Sequence, residues 1–403
     1  VNKRIVKLAA VAFVATSLAF AGCGSRTEST SGSSGSTKVA KIGVIAPLSG
    51  DLSALGLGIR NSVDLAIRQA NESNAIPGWT LELAAEDDQA TPDVGKNAAT
   101  KLASDDAVVG VVGTLNSSVA QSVIPVLQPA QIVQVSPANT SPTLTRGSDL
   151  SNPKRAYDNY FRTCTTDDVQ GPVAAQYLLD AGIKKVATIH DKKSYGQGLA
   201  EAFAAAFKAG GGTVVAGETI NPDDKDFNAV ITKVKSAGPE VVYYGGEYPQ
   251  AGPLSKQMKA AGLNVPLMGG DGIYDPTFIE LAGSAANGDL ATSVGAPVET
   301  LESAKSFVEA YSNAGFSDPM GAYGAQSYDA ANAIIDALKV SLKDATDAKS
   351  ARAATITAMA DVSFDGATGK VAFDEWGDTV TRVITVYKVT DGKWGTEKTL
   401  TAE

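Results

Sequence analysis

The stretch KIGVIAPLSGDLSALGLG, residues 41–58, decides how the chain folds. Its apolar run, KIGVIA, shows no alternation with polar residues, the pattern of a strand buried on both faces. A loop rich in Gly and Ser follows. Beyond it Ile59, Val63, Ala66, Ile67 and Ala70 recur at helical spacing on one face. The loop contains no G-x-G-x-x-G and no G-K-[ST], and its Asp51 repels phosphate. It therefore reads as a glycine-permitted turn at the rim of a cleft, not as a nucleotide cradle.

The same unit repeats downstream. LELAAED (81–87), AVVGVVG (107–113) and QIVQVS (131–136) read as strands, separated by helical PDVGKNAATKLAS (92–104) and SSVAQSVIPVLQPA (117–130). The pattern breaks over residues 141–168. It restarts with KKVATIHD (184–191), TVVAGETI (213–220), EVVYYGG (240–246) and VPLMGGDG (265–272), again with helices between. Strands alternating with helices predict parallel sheets covered on both faces, and two such series predict two similar lobes. Helices near 302–313, 324–340 and 347–360 and strand-like GKVAFDEWGD and VTRVITVYKV complete the chain; periodicity does not say which lobe they join.

Composition bounds the function. The chain has 403 residues, 44% hydrophobic and 19% charged, with a formal net charge of −10. That balance is globular and disfavours nucleic acid as a partner. Lys3, Arg4 and Lys7 precede LAAVAFVATSLAFAG (8–22), an apolar run too short for a comfortable membrane span, and Cys23 follows. This order resembles a bacterial lipoprotein signal over residues 1–22, with Cys23 lipidated, although Phe20 stands where Leu is usual; an ordinary secretion signal is the alternative. GSRTESTSGSSGSTK (24–38) has the composition of a flexible tether and, with Cys23, spans residues 23–38.

Only Cys23 and Cys164 are present, and the only His is His190. A lipidated Cys23 cannot pair, so no disulfide is expected, and Cys164 reads as a quiet, partly buried thiol. A His-based triad or metal cluster would rest on one residue. With no nucleotide loop and no convincing nucleophile–base pair, the chain does not read as an enzyme, and neither a cofactor nor a metal is expected.

In open α/β sheets ligands sit beyond the carboxyl ends of the strands. The loop after AVVGVVG is TLNSS, where Asn116, Ser117 or Ser118 can cap a helix. The loop after QIVQVS is PANTSP, with Thr140. Hydroxyls beside helix N-termini suit a small anion such as a carboxylate, though plain capping explains the same residues. The second series offers the opposite sign. Glu247 follows one strand, either as a solvated rim charge or as a ligand contact, and Asp271 follows the next between glycines that let backbone approach a ligand. Tyr195 and Tyr323 offer an aromatic wall or a hydroxyl. One lobe thus suits a carboxylate and the other an ammonium.

From about Lys41 onward the chain resembles the substrate-binding proteins of branched-chain amino-acid ABC transporters, the leucine/isoleucine/valine-binding family of type I periplasmic binding proteins. The likeness rests on GVIAPLSG, EDDQATP, VVGTLNSS, VSPANT, FRTCTTDDVQGP, IHDKKSYGQGLA, KDF, VVYYGGEYP and GGDG, in that order. It implies two Rossmann-like lobes joined by three crossover strands near residues 165, 293 and 363. Lobe one would comprise residues 39–164 and 294–362, and lobe two residues 165–293 and 363–403, with ligand in the cleft between them.

The resemblance places carboxylate contacts on Ser117 and Thr140 with backbone help from Ala138, the ammonium acid on Asp271, and aromatic contacts on Tyr195 and Tyr323. Asp271 is one methylene shorter than the Glu common at that place. Leu55 and Glu247 stand where leucine-type carriers place aromatics. A second acid in a closing cleft needs a partner, so Glu247 is expected to pair with a polar or cationic ligand group; the rival is an exposed Glu247 above an apolar pocket built partly by Leu55. The implied function is an extracytoplasmic, lipid-anchored, monomeric carrier. It captures an amino acid or related zwitterion by hinge closure and delivers it to an ABC permease. The alternative is a sensor subunit for amides or amino acids.

Overall fold

The structure, a computed structural model, describes residues 37–402. The signal, Cys23 and all but the end of the expected tether lie outside these residues. The first sheet contains β1 (Lys38–Ala46), β2 (Trp79–Asp87), β3 (Val108–Gly113), β4 (Val133–Ser136) and β5 (Tyr160–Arg162). All neighbours are parallel, in the order β2-β1-β3-β4-β5. Every residue of β3 is buried, as a run of VVGVVG without alternation requires. Helices α1 (Ser53–Glu72), α2 (Pro92–Ser104), α3 (Ser117–Leu127) and the single turn α4 (Thr143–Arg146) connect these strands.

The second sheet takes α5 (Asp167–Asp180), β6 (Lys185–His190), α6 (Ser194–Ala209), β7 (Thr213–Thr219), α7 (Asn228–Ala237), β8 (Val241–Gly245), α8 (Tyr248–Ala260), β9 (Leu267–Gly269), α9 (Pro276–Ala282) and β10 (Leu290–Val294). The chain then returns to the first lobe with α10 (Lys305–Asn313), α11 (Gly324–Ser341) and α12 (Ala348–Ala358); α11 packs on α1 and α12 on β3. A hairpin of β11 (Ser363–Gly366) and β12 (Gly369–Ala372) follows, and β13 (Val383–Thr390) and β14 (Lys393–Thr401) close the second sheet. Its order is β14-β13-β10-β9-β8-β6-β7, with β13 antiparallel to both its neighbours.

The third passage between lobes differs from its expected place near residue 363. The β11–β12 hairpin stays with the first lobe because the buried Asp329 carboxylate on α11 accepts from the N–H groups of Ala367 and Thr368 and from the Thr368 hydroxyl, at 2.6–2.8 Å. Beyond it, Phe373 packs edge-on against Phe161 of β5, and the Gly377 carbonyl accepts from Arg162 N at 3.0 Å. The chain reaches the second sheet only at β13.

Three elements lie where sequence periodicity is silent. β5 is three residues long. β14 is a mostly exposed edge strand, so no apolar pattern marks it. α5 packs against α6, β10 and β13, and burial from several sides erases a single apolar stripe. The opening loop has a steric requirement: a Cβ on Gly56 would sit 1.9 Å from the Pro47 carbonyl oxygen, so only glycine lets α1 start beneath the loop.

Candidate functional site

The carboxyl ends of β1, β3 and β4 face those of β6, β8 and β9 across a cleft, and its innermost part is lined by Leu55, Asn116, Ala138, Glu247, Asp271 and Tyr323, with Leu115, Tyr195 and Gly272. In the structure the lobes are closed on one another. Free volume at this point is about 20 Å³, room for about one water. Hydrogen bonds cross the cleft from Tyr323 to Asp271, from Asn116 to Glu247, from Gln121 to Ser194 at 3.1 Å, and from the Tyr248 hydroxyl to the Asp51 carbonyl at 2.5 Å.

On the first lobe two loops form a polar wall. Asn139 ties them together: its Nδ2 donates to the Leu115 carbonyl at 2.8 Å, and its Oδ1 accepts from the Tyr160 hydroxyl at 3.0 Å. Arg162, fully buried, braces the same loop by donating to the carbonyls of Asn139 and Ser141 at 2.7 and 2.8 Å, while its Nε pairs with Asp378 at 2.6 Å. Held this way, Ser117 and Thr140 are buried; neither hydroxyl has a partner within hydrogen-bond distance, although that of Thr140 faces the Asp167 carboxyl and opposes the rise of its pKa. Neither Ser117 nor Thr140 lines the innermost cleft itself; each sits near a residue that does, Asn116 or Ala138, and because buried polar atoms are normally paired, each orphaned hydroxyl is a donor left open to an acceptor. Ser117 is the first residue of α3, whose N-cap, Asn116, makes no side-chain cap. The first-turn N–H groups of α3 therefore add positive potential at the same spot. Ala138 lines the cleft, but its N–H, the group expected to help hold a carboxylate, already donates to Ser136 Oγ at 3.2 Å.

The second lobe presents the acid. Asp271 is 1% exposed. Its Oδ1 accepts from the Tyr195 hydroxyl at 2.7 Å and from Gln170 Nε2 at 2.9 Å, and its Oδ2 accepts from the Tyr323 hydroxyl at 2.7 Å. Burial raises the Asp271 pKa, and these three donors oppose the rise without cancelling it. A cation beside it would restore the charged form. The flanking glycines serve close approach: a Cβ on Gly270 or Gly272 would lie 2.6 or 2.9 Å from the Tyr195 phenol.

Glu247 departs from expectation. It is 5% exposed, so it is no solvated rim charge, and its two oxygens are already taken, one by Asn116 Nδ2 and the other by Lys193 Nζ at 2.8 Å. The partner foreseen as a ligand cation is supplied by the chain. Burial depresses the Lys193 pKa, but Glu247, helped by Asp191, outweighs it, and the net shift is upward. Leu55 is buried and lines the cleft with Leu115, as an apolar wall.

Gln170, Lys193 and Asp167 were not singled out from sequence, and Asn116 only as a candidate helix cap. Asp167, at the start of α5, is buried beside Thr140 and Asp271 with neither oxygen in a hydrogen bond. Burial first, and the Asp271 charge second, push its pKa well above the usual carboxylate range. Its only sequence signal was an acid in a helix first turn, which the helix dipole alone explains. Cys164 is buried, its pKa raised by burial, and its Sγ lies 3.4 Å from the Asn139 carbonyl, an inert setting. Among the described residues no group of three or more His, Cys, Asp or Glu is placed to hold a metal, and no helix is long and apolar enough to cross a membrane.

Comparison with known proteins bears on the family and the fold. The family model described as periplasmic binding protein matches residues 39–393. The Leu/Ile/Val-binding protein BraC3 of Rhizobium johnstonii is 35% identical over 353 residues, covering 87% of this chain and 92% of that protein. The leucine-, isoleucine-, valine-, threonine- and alanine-binding protein of Pseudomonas aeruginosa is 32% identical over 349 residues, covering 86% and 89%. Among solved structures, the branched-chain amino acid transporter substrate-binding protein LivJ from Streptococcus pneumoniae, in complex with isoleucine, superposes with a TM-score of 0.78 at 26% identity, covering 91% of this chain and 99% of that one.

Proposed function

This chain belongs to the periplasmic binding protein family, and from that premise we propose that it captures an α-amino acid between its lobes and delivers it to an ABC permease. The observation that carries this reading is the opposition of charge preference across the cleft. The orphaned hydroxyl of Ser117 at an uncapped helix N-terminus and that of Thr140 on the loop after β4 suit a carboxylate, and buried Asp271 suits an ammonium. A solute with both groups bridges the lobes and favours the closed form in proportion to its differential affinity for it.

Export and a lipid on Cys23 would place this carrier outside the cytoplasm and close to its permease, the Ser- and Gly-rich residues serving as a tether. Intact mass of the mature protein from membranes tests this part, with a diacylated Cys23 expected at the new N-terminus.

The capture reading is tested by thermal shift against the twenty proteinogenic amino acids. At least one is expected to raise Tm by a few degrees at millimolar concentration, since ligand binding to the native state adds stability by mass action. The response should vanish in Asp271→Asn. No response to any amino acid, or an equal response in the variant, overturns the reading.

A further inference from the structure

We propose that the side-chain end of the cleft selects a neutral hydrogen-bond donor, a carboxamide or hydroxyl on the captured amino acid, which Asn116 Oδ1 accepts; this rests on the amino-acid reading above.

The orientation of the Asn116 amide is set by chemistry. A carboxylate only accepts, so the group facing Glu247 Oε1 must be Nδ2, and Oδ1 is turned away from it. That Oδ1 is buried and has no partner. The ordinary use for it would be to cap α3, since Asn116 is the N-cap residue, yet no side-chain cap forms. Glu247 has drawn the amide out of the capping position. The result is a bare carbonyl oxygen on a residue that is 3% exposed and lines the cleft beside Leu55 and Leu115.

Charge decides which donor fits. The Glu247 carboxylate is answered by Lys193 at 2.8 Å, so a cationic side chain would have to displace a cation already in place. An acidic side chain meets Glu247 and a bare acceptor. An apolar one leaves Oδ1 unpaired in a closed cleft. A neutral N–H or O–H satisfies Oδ1 and leaves the ion pair intact. Asn116 is thus the specificity-determining contact, and Glu247 and Lys193 are positioning residues.

The test is calorimetric titration of the whole chain with near-isosteric pairs: asparagine against leucine, threonine against valine, glutamine against methionine, with arginine and aspartate as charged controls. The donor member of at least one pair should bind about tenfold or more tighter than its apolar partner and tighter than either control, because a site built around a polar contact rejects analogues that lack it. Asn116→Leu should bring that ratio close to one. The wild-type ratios stand on their own should the variant fail to fold. Leucine, valine and methionine binding as tightly as their partners, arginine binding tightest, or a ratio that survives in Asn116→Leu overturns the donor inference and leaves amino-acid capture standing. Binding of no amino acid at all overturns both.

Discussion

Tyr323 and Asp271 stand on opposite lobes and are joined by a 2.7 Å hydrogen bond from phenol to carboxylate. The same carboxylate is held from its own lobe by Tyr195 and Gln170. Asp271 is therefore the point where the first lobe takes hold of the second, and on the proposed reading it is also the acid that meets the ammonium. Closure and recognition would then share a residue, which is how binding energy becomes a change in the open–closed equilibrium.

Tyr323→Phe keeps the ring and removes this donor. Affinity for the best amino acid should fall about tenfold, the scale of one hydrogen bond to a charged group. Titration calorimetry measures the fall, and an unchanged Kd would mean that the contact does not favour the closed form.

The polar wall of the first lobe makes a different demand. Ser117→Ala and Thr140→Ala each remove a hydroxyl with no partner within hydrogen-bond distance. Each should weaken ligand binding about tenfold to a hundredfold, with Tm of the ligand-free chain unchanged or slightly higher. A large loss of stability without ligand would show that these hydroxyls hold the fold and not the solute.

Much of this wall was legible in the sequence. Ser117 and Asp271 follow unbroken apolar strands and Thr140 follows the more polar β4, and the rule that ligands sit beyond strand ends nominates all three without a structure. What was hidden depends on pairings between distant residues. Glu247 is 131 positions from Asn116 and 54 from Lys193, and no local pattern says that its charge is met at home. The β11–β12 hairpin was equally opaque, because Asp329 holds it through backbone N–H groups that carry no sequence signal. Exposed β14 lacked the apolar code that marked the buried strands of both sheets, and β5 was too short to show it.

Two buried carboxyls give the fold an inverted acid dependence. Asp88 and Asp191 are both pushed up to about 7, by burial first. For Asp88 the N–H of Ala90 opposes the shift, and Asp87 and Glu247 add to it; Asp191 is raised further by Glu247 and opposed by Lys193. An unfolded Asp titrates near 3.9. Between about pH 4 and 7 the native state therefore holds protons that the unfolded chain has lost, and stability falls as pH rises through that window. His190, whose pKa burial lowers, contributes the opposite slope below its ordinary value of 6.5. The readout is therefore a difference: Asp88→Asn should lose less Tm than the wild type between pH 5 and pH 8, in thermal melts at constant ionic strength. Parallel curves would contradict the assignment.

Arg162 supports the site from behind. Its guanidinium serves two carbonyls of the Thr140 loop, the Thr145 hydroxyl and Asp378, all inside the protein. Arg162→Met should cost about 3–5 kcal/mol in chemical denaturation, the scale for leaving a buried ion unpaired. In whatever fraction folds, it should also weaken ligand binding, because the Thr140 loop loses its brace. A loss below 1 kcal/mol would show that the loop stands without it.

The most direct test of the central claim is calorimetric titration with three versions of the best-bound amino acid: the intact zwitterion, its des-amino acid and its decarboxylated amine. The account predicts that only the zwitterion binds well and that each truncated version binds at least about a hundredfold weaker, since each leaves one wall of the cleft unanswered. A des-amino acid that binds as tightly as the parent would contradict it, for Asp271 would then have no part in holding the solute.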